Sequence, residues 1–485
     1  MTVRRHGREI EGTVNDAEST AEAMIFDLVD SIARRSPPGW LEMSAEFALA
    51  GSAQSIDITL HYPDTTLRVQ PSPVEVELIR KQRGVTATTD AGPWWRMSLV
   101  VTAEGEADVT YDYGESPFPE DQLFPPEAYR ADLAEHPRRD LPLWMNAYVN
   151  HGDRQSRSPR RAAREVRENR ARSRWPQLTV NEFPAFPEMW ARWAVMSAAF
   201  VAAGSEWGPR VAPGFAWFEG AARGGSTLYR LPGDRAVLSG GVWNAPSLAA
   251  GYATGRLPDL FRGAPEWVAD PVLNPRGRRG LMTFCYWWEG GCWYRGDSPT
   301  ASACANAVPG VWTDRTVADV IGRLADADGS EDIGQAAEEL VSSGHQGTVT
   351  REALVRLLGD ADAQDVDDAL FQLSVAGVQY SLPPDELPEG TALSLARKHV
   401  EPPAGSAKGP SADAFEAERL GTGWRLYVPA PGSTTPVGQV AYVDDDGDGL
   451  AVPSSGAGSA AQVIAAFERR FRSRHSPGDV PPPGP

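Results

Sequence analysis

Residues 93–145 constrain the chain more than any other stretch: PWWRMSLVVTAEGEADVTYDYGESPFPEDQLFPPEAYRADLAEHPRRDLPLWM. Apolar residues alternate over 95–103 and again over 107–113, and Glu104-Gly105-Glu106 places a glycine between the runs. Such a glycine suits a tight turn with positive φ, so the runs are expected to pair as an antiparallel hairpin. A proline-punctuated loop follows, then two short helices near 126–135 and 141–150. Upstream, Ala21, Met24, Ile25, Leu28, Val29 and Ile32 share one face of a helix over 17–34, which Ser36-Pro37-Pro38-Gly39 ends. Strand-like runs at 41–48 and 55–62 come next, and Pro73 opens a helix over 74–83. The order α-β-β-α-β-β-α-α predicts an α+β sandwich with antiparallel strands, preceded by a loose arm over residues 1–15.

The same stretch carries a charge signature. Between Met97 and His136 stand ten carboxylates (Glu104, Glu106, Asp108, Asp112, Glu115, Glu120, Asp121, Glu127, Asp132, Glu135) against one base, Arg130, a net −9. A dense anionic surface of this kind suits a cationic partner. Asp112, Glu115, Phe118, Glu120, Asp121 and Glu127, on or beside the loop, are the candidate partner-binding residues. Trp94, Trp95, Tyr111 and Tyr113 are available as aromatic anchors. Alternation nevertheless sends about half of the strand residues inward. It places Trp95 in phase with Met97, Leu99 and Val101, and so in the core.

At 485 residues the chain is expected to form roughly two to four domains. Apolar content of 41 % and charged content of 23 % are those of a globular protein. A net charge of −19 argues against nucleic acid as the main partner, because phosphate binding needs a cationic footprint. There is no signal-like apolar region at the N-terminus and no run of about 18 apolar residues, so the expectation is a cytoplasmic protein with no membrane partner. Three cysteines, Cys285, Cys292 and Cys304, lack any CxxC spacing; they read as buried small hydrophobes in a reducing compartment.

Residues 1–150 form the first expected domain. Residues 151–174 hold nine arginines against three acids, read as a solvated or partly helical linker; a nucleic-acid or membrane patch is the other reading. Residues 175–314 are rich in tryptophan, glycine and proline and suggest a second α+β domain, with an apolar helix over 189–203. Gly290-Gly291 there turns a hairpin in which Trp288 faces Trp293. Four apolar stripes mark a helical region within 315–400, with a linker over 382–410. Strands at 424–428 and 439–443 and a helix over 460–472 make a small C-terminal ββα unit within 401–485, and the tail from 476 has a disordered composition. The fold class is therefore multi-domain α+β.

Catalytic and metal motifs are weak. Asp444-x-Asp446-x-Asp448-Gly449 begins like a calcium loop, but its twelfth position is Ser455 where a bidentate Glu is needed, so a polar turn is expected. The histidines form no HxxxH or HxH pair, and neither a GxSxG elbow nor a GxxxxGK[ST] loop occurs. No catalytic residue, metal site or cofactor is expected, and the protein is read as a non-enzyme.

Pro93-Trp94-Trp95 opening a strand, Tyr111-Asp112-Tyr113 closing its partner, Phe118, Tyr129-Arg130-x-Asp132-Leu133, Pro137-Arg138 and Trp144 resemble the YezG-like immunity (antitoxin) proteins of polymorphic toxin systems. The resemblance covers about residues 20–150. It implies a non-enzymatic domain that binds and occludes a cognate toxin, a basic protein. The remaining residues match nothing in that pattern. They leave open a toxin or enzyme domain in 175–314, with the first domain as adaptor, or a scaffold whose helical stripes at 316–379 are docking surfaces.

Overall fold

The computed structural model describes residues 2–6, 15–87, 91–325, 330–359, 363–379, 386–399, 414–454 and 459–475. It is a mixed α+β protein, with three sheets among the described residues. The chain forms two compact units. One holds Met1–Gln177, Ser239–Tyr286 and Arg295–Pro299; the other holds Leu178–Leu238, Trp287–Tyr294 and Thr300–Pro485. These units do not follow the sequence-read boundaries one for one, because each returns to strands far apart in the chain.

The first elements are β1 (Thr2–His6), α1 (Asn15–Arg35), β2 (Glu42–Ala50), β3 (Ala53–His61), β4 (Thr66–Arg68), α2 (Pro73–Val85), β5 (Arg96–Thr102), β6 (Glu106–Asp112), α3 (Pro126–Glu135), α4 (Leu143–Asn150) and α5 (Pro159–Ala171). Six strands form one sheet in the order β1-β6-β5-β2-β3-β4. The expected β5–β6 hairpin is present in the register Met97↔Tyr111, Leu99↔Val109, with Gly105 at φ +86°. Residues 2–6 depart from the expected arm. They pair with β6 in parallel, Thr2↔Glu106 through His6↔Thr110, and so satisfy an edge that would otherwise be open.

Alternation sorts this sheet into two faces. Met43, Ala45, Phe47, Leu49, Ile58, Leu60, Met97, Leu99, Val101, Ala107 and Val109 are buried with Ile25, Leu28, Val29 and Ile32 of α1 and Ile79 of α2. Glu46, Val100, Glu106 and Asp108 stand exposed on the other face. The capping box that starts α2 is complete. Ser72 accepts from the Glu75 amide, and the Glu75 carboxylate accepts from the Ser72 amide at 2.6 Å.

The next elements are β7 (Gln177–Thr179), α6 (Phe186–Ala202), β8 (Gly208–Ala212), β9 (Phe215–Glu219), β10 (Gly225–Leu231), β11 (Arg235–Gly241), α7 (Pro246–Thr254), β12 (Phe284–Glu289) and β13 (Cys292–Arg295). Seven strands form a sheet in the order β7-β13-β12-β11-β10-β9-β8. Gly290 and Gly291, at φ +59° and +79°, turn the β12–β13 hairpin, and Trp288 meets Trp293 edge-on at 5.6 Å. The aromatic residues Trp287, Trp288 and Trp293 are core, as are Cys285 and Cys304, whereas Cys292 is half-buried at the hairpin turn.

Helix α6 is apolar nearly all round, which is the pattern of a helix enclosed on every side. Helices α8 (Asp314–Ala325), α9 (Glu331–Gln346), α10 (Arg351–Leu358) and α11 (Ala363–Ala376) follow. Trp190 of α6 donates to the Ala376 carbonyl at 2.9 Å, and α8, α9 and α11 all pack on α6. The four expected stripes are consumed in this packing: Val317, Ile321, Ala337, Leu340, Leu354, Leu357, Ala369 and Leu373 are buried. They are unavailable as docking surfaces for a scaffold.

The last elements are α12 (Glu389–His399), β14 (Glu416–Leu420), β15 (Gly423–Pro429), β16 (Pro436–Asp444), β17 (Gly449–Pro453) and α13 (Ala460–His475). The expected ββα elements are joined by two further strands, in the order β14-β15-β16-β17. Helix α12 falls within the expected linker and buries Ala392 and Ala396 with Leu426, Ala441 and Val443 of this sheet. The Asp444–Asp448 segment is a turn: Asp444 accepts from the Asp448 amide at 2.9 Å, and Asp445 is held by Arg419 at 2.7 Å. Ser455, residues 382–385 and 400–410 of the expected linker, and the tail from 476 lie outside the described residues.

A candidate protein-binding surface

The acidic loop between β6 and α3 is fastened from beneath by aromatic side chains. Phe118, Trp95, Tyr129, Trp144, Met145 and Val149 form a second buried cluster with Ala50. Phe118 meets Trp144 edge-on at 5.1 Å, and Trp144 Nε1 donates to the Gly114 carbonyl at 2.7 Å. Tyr129 closes the other end, its hydroxyl accepting from the Phe124 amide at 3.3 Å; burial pushes its pKa up to about 12. Gly114 is required where the loop leaves β6, with φ +87° and room for a Cβ only 2.8 Å from Trp95 Cζ3. Gly114→Ala is expected to destabilise this unit by about 1–3 kcal/mol, read as a lowered thermal midpoint.

The sequence-selected residues divide. Glu115 and Asp121 are exposed and form no ion pair among the described residues. Glu120 is exposed and meets Arg279, and Glu127 is exposed beside Arg130 at 2.5 Å. Exposed pairs of this kind are worth little and can exchange partners. Asp112 is half-buried and accepts from the Gly114 amide at 2.8 Å, which sets the loop's first turn. Phe118 does not belong to the contact set. It is 4 % exposed, with a proline on either side, and points inward. Its ring packs against Trp95, Tyr129 and Trp144.

The proposed aromatic anchors are corrected in the same way. Trp94 and Trp95 are fully buried on different clusters, since the chain bends before β5 begins at Arg96 and breaks the alternation. Tyr111 accepts from Gln82 at 2.7 Å and Tyr113 donates to the Thr86 carbonyl at 3.3 Å, both packed beside the main core.

Asp132 also leaves the anionic surface. It is fully buried, 2.9 Å from Arg83, and accepts from Trp95 Nε1 at 2.8 Å and from the Gly51 amide at 3.0 Å. Arg138, with its side chain 1 % exposed, approaches it to 3.9 Å and stacks on Trp95, 3.4 Å from the ring centroid. Burial alone would raise the Asp132 pKa; the Arg83 contact, with Gly51 and Trp95, outweighs it and holds the carboxyl low. Burial lowers the Arg138 pKa to about 10, although Asp132 opposes the shift. Sequence reasoning missed this hub, which joins α2, α3 and the start of β5. Its one local signal is the i, i+3 spacing that puts Asp132 on the buried face of Tyr129.

What remains is a mainly anionic surface in which several carboxylates already meet arginines, Glu46 lying 4.0 Å from Arg96. Glu115, Glu120 and Asp121 stand on the loop, Glu127 on the first turn of α3, and Glu106, Asp108 and Glu46 on the open face of the sheet that leads into the loop. Arg96 links them, lying over the Phe118 ring at 5.6 Å.

No protein-family model matches the chain, and no curated protein matches it. Among the described residues, no group of three or more His, Cys, Asp or Glu is placed to hold a metal ion. No described helix is long and apolar enough to cross a membrane.

Proposed function

We propose that the protein is an immunity-type protein that neutralises a basic partner, a toxin, by stoichiometric binding at the acidic loop and the sheet face beside it. The observation that carries the reading is the anchored loop: carboxylates displayed on a backbone pinned by Phe118, Trp144 and the Gly114 turn. A pre-set anionic surface steers a cationic protein during encounter and loses little conformational freedom on binding. The likeness of residues 20–150 to YezG-like immunity proteins supports the same reading. The reading assigns the protein no catalysis.

The test is capture by the tagged full-length protein of the products of neighbouring genes. A basic protein retained one-to-one, and released when Glu115, Glu120 and Asp121 are changed to lysine, is the expected outcome. Capture of no basic protein, or equal capture by the triple variant, contradicts the proposal.

A further inference from the structure

The nine arginines at 151–174 sort into two groups. Arg154, Arg157 and Arg161 turn inward: Arg154 lies 5.1 Å over the Tyr252 ring, and Arg157 and Arg161 hold Glu165 at 2.6 and 2.8 Å. They fix helix α5, which Ser158 caps and which buries Ala162 and Asn169 along Phe261, Ala264, Pro265 and Ala269. The segment expected as a linker is thus a docked helix.

The other six, Arg160, Arg164, Arg167, Arg170, Arg172 and Arg174, are exposed. Arg160, Arg164 and Arg167 have i, i+4, i+7 spacing and form a stripe opposite the buried Ala162–Asn169 face. Arg164 lies 3.7 Å from Glu168; the other five have no acidic partner among the described residues. Trp175, 66 % exposed, directly follows Arg174 in the chain. A protein with net charge −19 therefore holds a rigid cationic ridge with one free aromatic face.

We propose that α5 and the residues to Trp175 form a contact surface for single-stranded nucleic acid, read through its phosphates and without base sequence specificity. Guanidinium groups bind phosphate bidentately, and an exposed tryptophan stacks on any base. The overall negative charge does not forbid this, since screening over about 8 Å at physiological salt leaves the local field in control. A membrane surface fits less well because the apolar side of α5 is already spent on docking. A protein partner fits less well because the arginine stripe has no apolar residue at its centre. The proposal is independent of the acidic-loop reading.

The experiment is fluorescence anisotropy of the full-length protein with a labelled oligothymidylate of about 20 nucleotides. Binding should weaken with salt on a log–log slope no steeper than about −4, the value for six released counterions on a single strand. Joint replacement of Arg160, Arg164 and Arg167 by alanine should lower affinity at least tenfold and reduce the slope by about 2. Replacement of the same three by lysine should keep most of the slope, and Trp175→Ala should weaken binding about tenfold. All of these positions are exposed, so an unchanged thermal midpoint separates lost contact from lost fold. No saturable binding at about 50 mM salt, or binding unchanged in the triple alanine variant, overturns the proposal. So does arginine-dependent binding confined to phosphatidylserine vesicles or to polyglutamate.

Discussion

Asp132→Ala is expected to cost about 3–5 kcal/mol, because it leaves Arg83 and Arg138 buried without their carboxylate. For a unit of this size that is a fall of about 6–20 °C in thermal midpoint. It also removes the acceptor for Trp95 Nε1 and the Gly51 amide, so three elements lose their common tie. Asp132→Asn keeps the shape and loses the charge; a large part of the effect should persist in it. Because Asp132 is held below the ordinary carboxyl pKa, the unfolded chain takes up the proton more readily than the folded one. Its stabilisation is complete above about pH 4 and is lost as pH falls through the folded value. A midpoint of Asp132→Ala within about 2 °C of the parent, by circular dichroism at neutral pH, would show that the arginines find other partners.

The hub and the loop show where sequence reasoning reached and where it stopped. The β5–β6 hairpin was legible because its register depends on residues within a short span, with Gly105 marking the turn. The start of α2 was legible for the same reason, through Pro73. Strand β1 was not, because its partner lies about a hundred residues away and five residues carry little pattern of their own. Asp132 looked like nine other carboxylates because Arg83, forty-nine positions upstream, is what buries it. Phe118 looked like a partner contact because loop aromatics often are; here the cluster of Trp95, Tyr129 and Trp144 claims it. Helix α5 was obscured by its composition. Arginine count suggested a solvated segment, while the few residues that dock it, Ala162 and Asn169, give a faint signal.

The second large effect is expected at the loop itself. Changing Glu115, Glu120 and Asp121 to lysine moves six units of charge on one exposed surface and leaves Phe118 and the buried cluster in place. Association with a basic partner should slow by about tenfold to a thousandfold at low salt, the range that electrostatic steering spans. Dissociation should change less, because steering acts before the close contacts form. The loop's fold should survive, since none of the three side chains contributes to its core.

The most direct measurement is the association rate of the purified protein with its captured basic partner between about 50 and about 500 mM salt, where the screening length falls from about 14 to about 4 Å. The proposed function predicts a steep fall for the parent protein and a slow, nearly flat profile for the triple lysine variant. Parent rates that stay constant across that range would contradict it.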